Sequence, residues 1–346
     1  MKQERINIWE DGEYNYPAAY GFMPNIRTYI HEDDTVRDCM LVVPGGGYCM
    51  VVPPEAGIVA KEFYDRGMNA FVLTYTTDIT MSVPLKMQPL LDIDRAVRII
   101  RAGHEAFKIN PDRLFVCGFS AGAHVCGSLC THFEDIEDNS RYKNVDNRPT
   151  GAILSYPVIT TGPMTHIYSV QALLGKEPTQ EELEYFSLEK NVDAHTPPCF
   201  IWQTRDDNLV PVENSYLMAE SLKAAGVNYA HYVFPSGFHG LSIPTDEFFR
   251  GEFDNYTCEQ LDATLPHIKN HTAINVSPER YEELMQQFFG QENDGQQNES
   301  AQQENDRQQD ESAQQAAEAA PQPNPADFAD VRMWPELAMN WMKKIR

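Results

Sequence analysis

The stretch Val116–Val125, VCGFSAGAHV, sets Ser120 between two glycines as Gly118-Phe119-Ser120-Ala121-Gly122. A serine hydroxyl attacks a carbonyl only when a base takes its proton and a turn exposes it. The flanking sequence supplies such a turn. RLFVCGF reads as a strand and AGAHVCGSLCTHF as a helix, so Ser120 stands on a strand-to-helix elbow. The helix start beneath it leaves N–H groups free and presents a positive dipole end. A tight turn with an idle serine is the competing reading. A second stretch, Gly45-Gly46-Gly47-Tyr48, follows the strand CMLVV and Pro44. Glycines there let backbone N–H groups approach an anion closely. Together with Ala121, the N–H groups of Gly46 and Gly47 predict an oxyanion hole. A phosphate-binding loop is the alternative, but Gly-Lys-Ser/Thr and the Rossmann spacing are missing.

An acid and a base are also required. WQTRDDNLVPVENS ends a strand with Asp206 and Asp207, at the sheet edge where sites form in open α/β folds, and either carboxylate can orient a histidine. His239 follows a strand within FPSGFHGLS, and no other histidine has a comparable setting. The chain order serine, aspartate, histidine matches that of hydrolases built on G-x-S-x-G. Tyr48, Trp202 and Phe238 are expected to line the site, although each also suits a core or rim position.

The elements that must hold these residues alternate. After CMLVV come the helix PEAGIVAKEFYDRG, the strand NAFVLTY, the helix LLDIDRAVRIIRAGHEAF, the strand RLFVCGF and the helix of Ala121. GAILSYPVI, PCFIWQT and YAHYVF continue as strands, with VENSYLMAESLKAAG a helix before the last. This alternation predicts an α/β fold with a mostly parallel sheet and helices on both faces. The segment before Cys39 is expected to add antiparallel edge strands. Residues 160–198 break the rhythm, carry a short helix at TQEELEYFS, and suit a cap over the C-terminal sheet edge. Residues 244–290 read as a partly helical insertion with SPERYEELMQQFF as a helix. Residues 291–327 are acidic and Gln-rich, with QQNESAQQ repeated as QQDESAQQ, and are expected to be disordered. VRMWPELAMNWMKKIR predicts a final helix docked on the sheet. The hydrolase domain is thus expected to comprise residues 1–243 and 328–346.

Composition narrows the partners. The net charge of −24 argues against nucleic acid and anionic membranes, which need basic patches. No apolar run is long enough to span a bilayer. The start lacks an apolar signal region, and the seven cysteines are scattered, which predicts free thiols in a reducing, cytoplasmic compartment. Cys126 and Cys130 lack the partners a zinc site needs, so no metal is expected. DIDRAVRIIR reads as structural, since Asp94 and Arg98 are spaced as a helical ion pair worth about a few tenths of a kcal/mol.

With these residues in view, the chain resembles α/β-hydrolases of the esterase/lipase group. Within it, the chain is similar to bacterial acetyl-xylan esterases and related carbohydrate esterases. PGGGY, DIDRAVRIIR, NPDRLFVCGFSAGAH, DDNLVPVENS and GFHGLS carry the resemblance, over about residues 38–243 and the last helix. It implies Ser120 as nucleophile, His239 as base and Asp207 as orienting acid. Asp207 is preferred because relatives carry the acid three residues before the valine of the Val-Pro pair. It implies Gly46, Gly47 and Ala121 as oxyanion donors and no cofactor. Gln203 stands where relatives more often carry histidine, which bears on substrate preference. The expected function is a serine ester hydrolase acting on short acyl esters of small molecules or xylan-derived oligosaccharides. A prolyl-oligopeptidase-type peptidase and a non-catalytic interaction protein remain the alternatives.

Overall fold

The computed structural model describes residues 1–293 and 324–345. The strands are β1 Arg5–Asn7, β2 Asn25–Tyr29, β3 Arg37–Val43, β4 Asn69–Thr74, β5 Ile109–Phe119, β6 Gly151–Ser155, β7 Cys199–Thr204 and β8 Tyr229–Phe234. The helices are α1 Gly57–Asp65, α2 Gln88–Ala102, α3 His104–Phe107, α4 Ala121–His132, α5 Ile167–Leu174, α6 Gln180–Tyr185, α7 Glu213–Ala224, α8 Asp246–Phe249, α9 Glu259–Lys269, α10 Pro278–Asn293 and α11 Trp334–Met342.

One 8-stranded sheet runs in the order β1-β2-β4-β3-β5-β6-β7-β8. The strands from β4 to β8 are parallel, and β1 and β2 add antiparallel at one edge. The segment before Cys39 therefore does build the edge. Alternation along each strand divides the core. Leu41, Val43, Val116, Leu154 and Ile201 pack on one side, Met40, Val42, Cys117, Ile153 and Trp202 on the other. Burial on both faces is why these strands read as continuous apolar runs. Helices α2, α4 and α7 cover the first face, α1 and α11 the second.

β3 lies between β4 and β5, so the chain leaves it first to one side and then to the other. Loops that diverge in this way leave a crevice at the C-terminal strand ends. The Gly45 loop and the Ser120 elbow form that crevice.

Two segments depart from the alternation. Residues 160–198 carry α5, which periodicity did not reveal, and α6, closed by a capping box in which Thr179 and Glu182 satisfy each other's N–H groups. Residues 244–293 form α8, α9 and α10. The last two share a small core of Ile268 and Leu284 with Ile79. Polar contacts fasten the insertion to the sheet: Thr77 N–H donates to Gln260 at 2.7 Å, Arg5 pairs with Glu259 at 2.8 Å, and the Tyr29 and Tyr256 hydroxyls bond at 2.9 Å. The disorder expected for 291–327 falls, for residues 294–323, outside the described residues. At its edges the chain is helical to Asn293 and turns through a 3-10 helix at Pro325–Phe328.

The Asp94–Arg98 pair is buried, so it weighs more than helical spacing alone implies. Arg98 donates to Asp94 at 2.9 Å, Asn147 donates to the same carboxylate at 2.7 Å, and Arg98 also reaches the Val145 carbonyl. Burial pushes the Asp94 carboxyl up, and Arg98 opposes it. Removing one partner of a buried pair leaves the other charge uncompensated. Arg98→Ala is therefore expected to lower unfolding free energy by about 3 kcal/mol, measured by urea denaturation. A loss of only a few tenths would show that the site is hydrated.

Candidate active site

Ser120 directly follows β5 and starts α4 with φ 51° and ψ −119°, a conformation that a serine adopts only when its surroundings enforce it. They do so by close approach. A Cβ on Gly122 would lie 2.1 Å from the Val43 carbonyl oxygen, and one on Gly118 would lie 2.4 Å from the Gly122 carbonyl oxygen. Both glycines of the motif are therefore steric requirements. Ser120 N–H donates to the Ser155 carbonyl at 3.0 Å and fixes the elbow against β6.

The structure brings Ser120, His239 and Asp207 together. His239 Nε2 lies 2.8 Å from Ser120 Oγ, and its Nδ1 lies 2.8 Å from Asp207 Oδ2. An ionised Asp207 only accepts, so this network assigns the ring proton to Nδ1 and leaves Nε2 to accept from Ser120. The Asp207 side chain is fully covered. Its Oδ1 accepts from the N–H groups of Leu209 and Val210, both at 2.9 Å, and Oδ2 also accepts from Gln203 Nε2 at 3.3 Å. Asp206 is half-exposed and pairs with Arg205, away from the ring. Gln203 is buried beneath the acid and braces it, so it does not line the substrate space.

The expected oxyanion donors face the same crevice. Gly46 and Gly47 have φ of 120° and 65°, and Tyr48 continues the turn with φ 64°. The N–H groups of Gly46, Gly47 and Ala121 have no acceptor among the described residues. The preceding N–H, that of Gly45, is engaged. It donates to Glu55 Oε2 at 2.6 Å, and the Tyr156 hydroxyl donates to Glu55 Oε1 at 2.7 Å. Burial pushes the Glu55 carboxyl up, while these two bonds and His239 pull the other way. Sequence reasoning missed Glu55. Its signal was an acid inside the apolar run VVPPEAGIVA, where a charge needs partners.

Two of the three aromatic expectations are corrected. Tyr48 is buried under the glycine loop, and its hydroxyl donates to His124 Nδ1 at 2.7 Å. His124 Nε2–H in turn donates to the Phe186 carbonyl at 2.8 Å, and burial pushes this imidazole down to about 4. Trp202 is fully buried within the second face of the sheet, stacked on Trp334 at 5.3 Å. Strand alternation sends it there. Phe238 does line the cavity.

That cavity measures about 550 Å³ and reaches Ser120 and His239. Val52, Pro54, Leu209, Phe238 and Phe248 give it an apolar wall, with Glu55, His166 and Tyr168 as polar members. Phe248 belongs to the insertion, and Phe328 packs edge-on to Phe238 and stacks on Phe249, both at 5.7 Å. Cys49 also lines the cavity, its thiol pushed up to about 11 by burial. His166 is the second residue that sequence reasoning passed over. It bonds Ser169 Oγ through Nδ1 at 2.8 Å, and burial first, then the nearby His239, push its imidazole down, while Asp207 opposes them. Only its position in the expected cap pointed to it.

Residues 29–222 match the family described as BD-FAE. The chain is 60% identical over 262 residues to Endo-1,4-beta-xylanase B of Butyrivibrio fibrisolvens, covering 75% of this chain and 41% of that protein. It is 32% identical over 253 residues to Acetylxylan esterase of Xylanibacter ruminicola, covering 70% of this chain and 47% of that one. It thus spans less than half the length of either relative. The solved structure of an acetyl ester-xyloside bifunctional hydrolase from Caldicellulosiruptor lactoaceticus aligns with a TM-score of 0.66 at 34% identity, covering 78% of this chain and 97% of that one. Fold and likeness together define an α/β-hydrolase. Within that class, the chain belongs to the BD-FAE family.

The buried imidazole under the glycine loop sets a stability dependence on pH. An unfolded histidine titrates near ~6.5, whereas His124 in the fold titrates at about 4. Between these values the unfolded chain binds a proton that the folded chain does not, so stability falls as pH drops through the window. In His124→Asn, Tm is expected to fall less steeply with pH across that window. An unaltered slope would assign the dependence to other groups.

Proposed function

We propose that this chain is a serine carboxylic-ester hydrolase that removes short acyl groups, acetyl above all, from xylan-derived oligosaccharides through an acyl-enzyme. The observation that carries the reading is the hydrogen-bonded line from Asp207 through His239 to Ser120, beside three N–H groups with no acceptor among the described residues. In this reading His239 takes the Ser120 proton as Oγ attacks the ester carbonyl. Asp207 holds the ring in the right tautomer and stabilises the imidazolium. The N–H groups of Gly46, Gly47 and Ala121 receive the developing oxyanion. His239 then protonates the leaving alcohol, and a water activated by the same ring releases the acid and restores Ser120. Every proton stays within the protein, ester and water, so the cycle needs no metal or organic cofactor.

The carbohydrate part of the reading is supported by the relatives, an acetylxylan esterase and an acetyl ester-xyloside hydrolase. The name of the xylanase relative invites the thought of glycoside cleavage in this domain. That chemistry commonly uses a pair of carboxyl groups flanking the glycosidic bond. Among the described residues, Glu55 is the only carboxylate on the Ser120 cavity wall, and both its oxygens are already engaged. Ester hydrolysis fits these residues better. The reading includes residues 1–243 and 328–346 as the hydrolase domain, with 244–290 as an insertion. It also includes a reducing, cytoplasmic setting, which the seven free cysteines support. No described helix is long and apolar enough to cross a membrane.

Wild type is expected to hydrolyse 4-nitrophenyl acetate in preference to the butyrate and octanoate. Ser120→Ala should abolish turnover with an unchanged circular dichroism spectrum, and full retained activity would sink the assignment. Asp207→Asn is expected to lower kcat by about 10⁴, against less than about twofold for the half-exposed Asp206→Asn. The reverse order would make Asp206 the orienting acid.

A further inference from the structure

A second cavity of about 420 Å³ adjoins the Ser120 cavity, and Tyr168 lines both. It lies between the C-terminal half of α5, the loop around Ser82 and the start of α10. Its walls therefore come from the cap, from the insertion and from the loop between β4 and α2.

We propose that this cavity is a saccharide subsite, which receives the pyranose units flanking the acylated one. The inference rests on the esterase reading above and says where the rest of its substrate lies. Three features carry it. First, the two cavities meet at an exposed aromatic ring, that of Tyr168, which is 63% accessible on α5. A flat amphipathic ring of this kind gives contact area at low conformational cost and keeps a hydroxyl for bonding. Second, the wall beyond the ring changes character. The Ser120 cavity is closed mainly by apolar side chains, whereas this one presents Gln171, Lys176, Arg280 and Glu283. Such a mixture of donors and acceptors suits sugar hydroxyls, each of which does both. It does not suit a long acyl chain. Third, one of these groups is fixed in advance. Arg280 donates to the Ile79 carbonyl at 2.8 Å and pairs with Glu283 at 2.7 Å, so its guanidinium is held at the wall before any ligand arrives. Preorganisation of this kind lowers the entropic cost of binding.

The division of labour follows from the shared ring. A short acyl group fits beside Ser120 against the apolar wall, and the saccharide that bears it continues past Tyr168. A simple aryl ester uses only the first cavity. The second cavity should therefore affect oligosaccharide esters and leave aryl esters alone.

The test compares kcat/KM for mono-acetylated xylose, xylobiose and xylotriose in wild type, Gln171→Trp and Lys176→Ala, with 4-nitrophenyl acetate as reference. Gln171 and Lys176 line the second cavity and not the first. In wild type, kcat/KM is expected to rise roughly tenfold from the monosaccharide to the trisaccharide, equivalent to about 1.4 kcal/mol. Gln171→Trp, which fills the space, should erase that gain, and Lys176→Ala should reduce it, with 4-nitrophenyl acetate turnover unchanged in both. Retained 4-nitrophenyl acetate turnover also reports that each variant is folded. A gain that survives in Gln171→Trp, or wild-type rates that do not depend on chain length, would overturn the subsite while leaving the esterase intact. Wild type that cleaves 4-nitrophenyl acetate but no acetylated xylose or xylo-oligosaccharide would overturn the carbohydrate reading itself, and the subsite with it.

Discussion

The site depends on how closely two backbone turns approach each other. The loop after β3 and the elbow after β5 meet at distances that leave no room for side chains. A Cβ on Gly45 would lie 2.6 Å from the Phe119 carbonyl oxygen and 2.8 Å from the Ser120 Cβ, and Gly122 is as tightly pressed against Val43 and Pro44. This contact brings the free N–H groups of one loop beside the hydroxyl of the other. It also explains the unusual backbone at Ser120, which neighbours on both sides hold in place. The parallel pairing of β3 with β5 supplies the frame, since their register from Cys39 with Leu114 to Val43 with Gly118 ends both strands at the same level.

Around this contact, buried polar groups are matched to partners. Glu55 ties the glycine loop to Tyr156, whose ring meets that of His239 edge-on at 5.0 Å. Tyr48 ties the other side of the loop to His124 and through it to the cap at Phe186. Asp207 is enclosed by donors from its own loop and from Gln203. An unpaired buried acid or imidazole would cost free energy, so each of these links is strongly directional. Together they act as guy-lines on the elbow, the glycine loop and the histidine turn. The cap and insertion then add cavity walls without disturbing these links.

Much of this was legible in the chain. The parallel sheet followed from alternating apolar strands and amphipathic helices, and the edge strands from what preceded Cys39. Ser120, His239 and an acid at Asp206 or Asp207 were legible because each comes soon after a strand, and topology sends such positions to one edge; the preference for Asp207 came from the resemblance. The errors at Tyr48 and Trp202 share a physical cause. Adjacency in sequence to a loop does not say which way a ring points. For Trp202, the two-residue period of β7 turns it to the far face. For Tyr48, the positive φ turns it under the loop. Glu55, His166 and Phe248 were hidden because they reach the cavity from segments whose docking is set by tertiary packing. The worth of Asp94–Arg98 was likewise hidden, since helical spacing reveals a pair but not its burial.

The cavity wall also holds a sulfur. Cys49 lies in the same space as Ser120, and a thiol is intrinsically the better attacking group. Yet the hydroxyl has an imidazole at 2.8 Å, whereas burial pushes the thiol up to about 11. Environment thus reverses the intrinsic order of reactivity. One wall carries a hydroxyl beside an imidazole and a thiol enclosed by burial. In the proposed reading, the oxygen nucleophile works beside a thiol that the fold keeps enclosed.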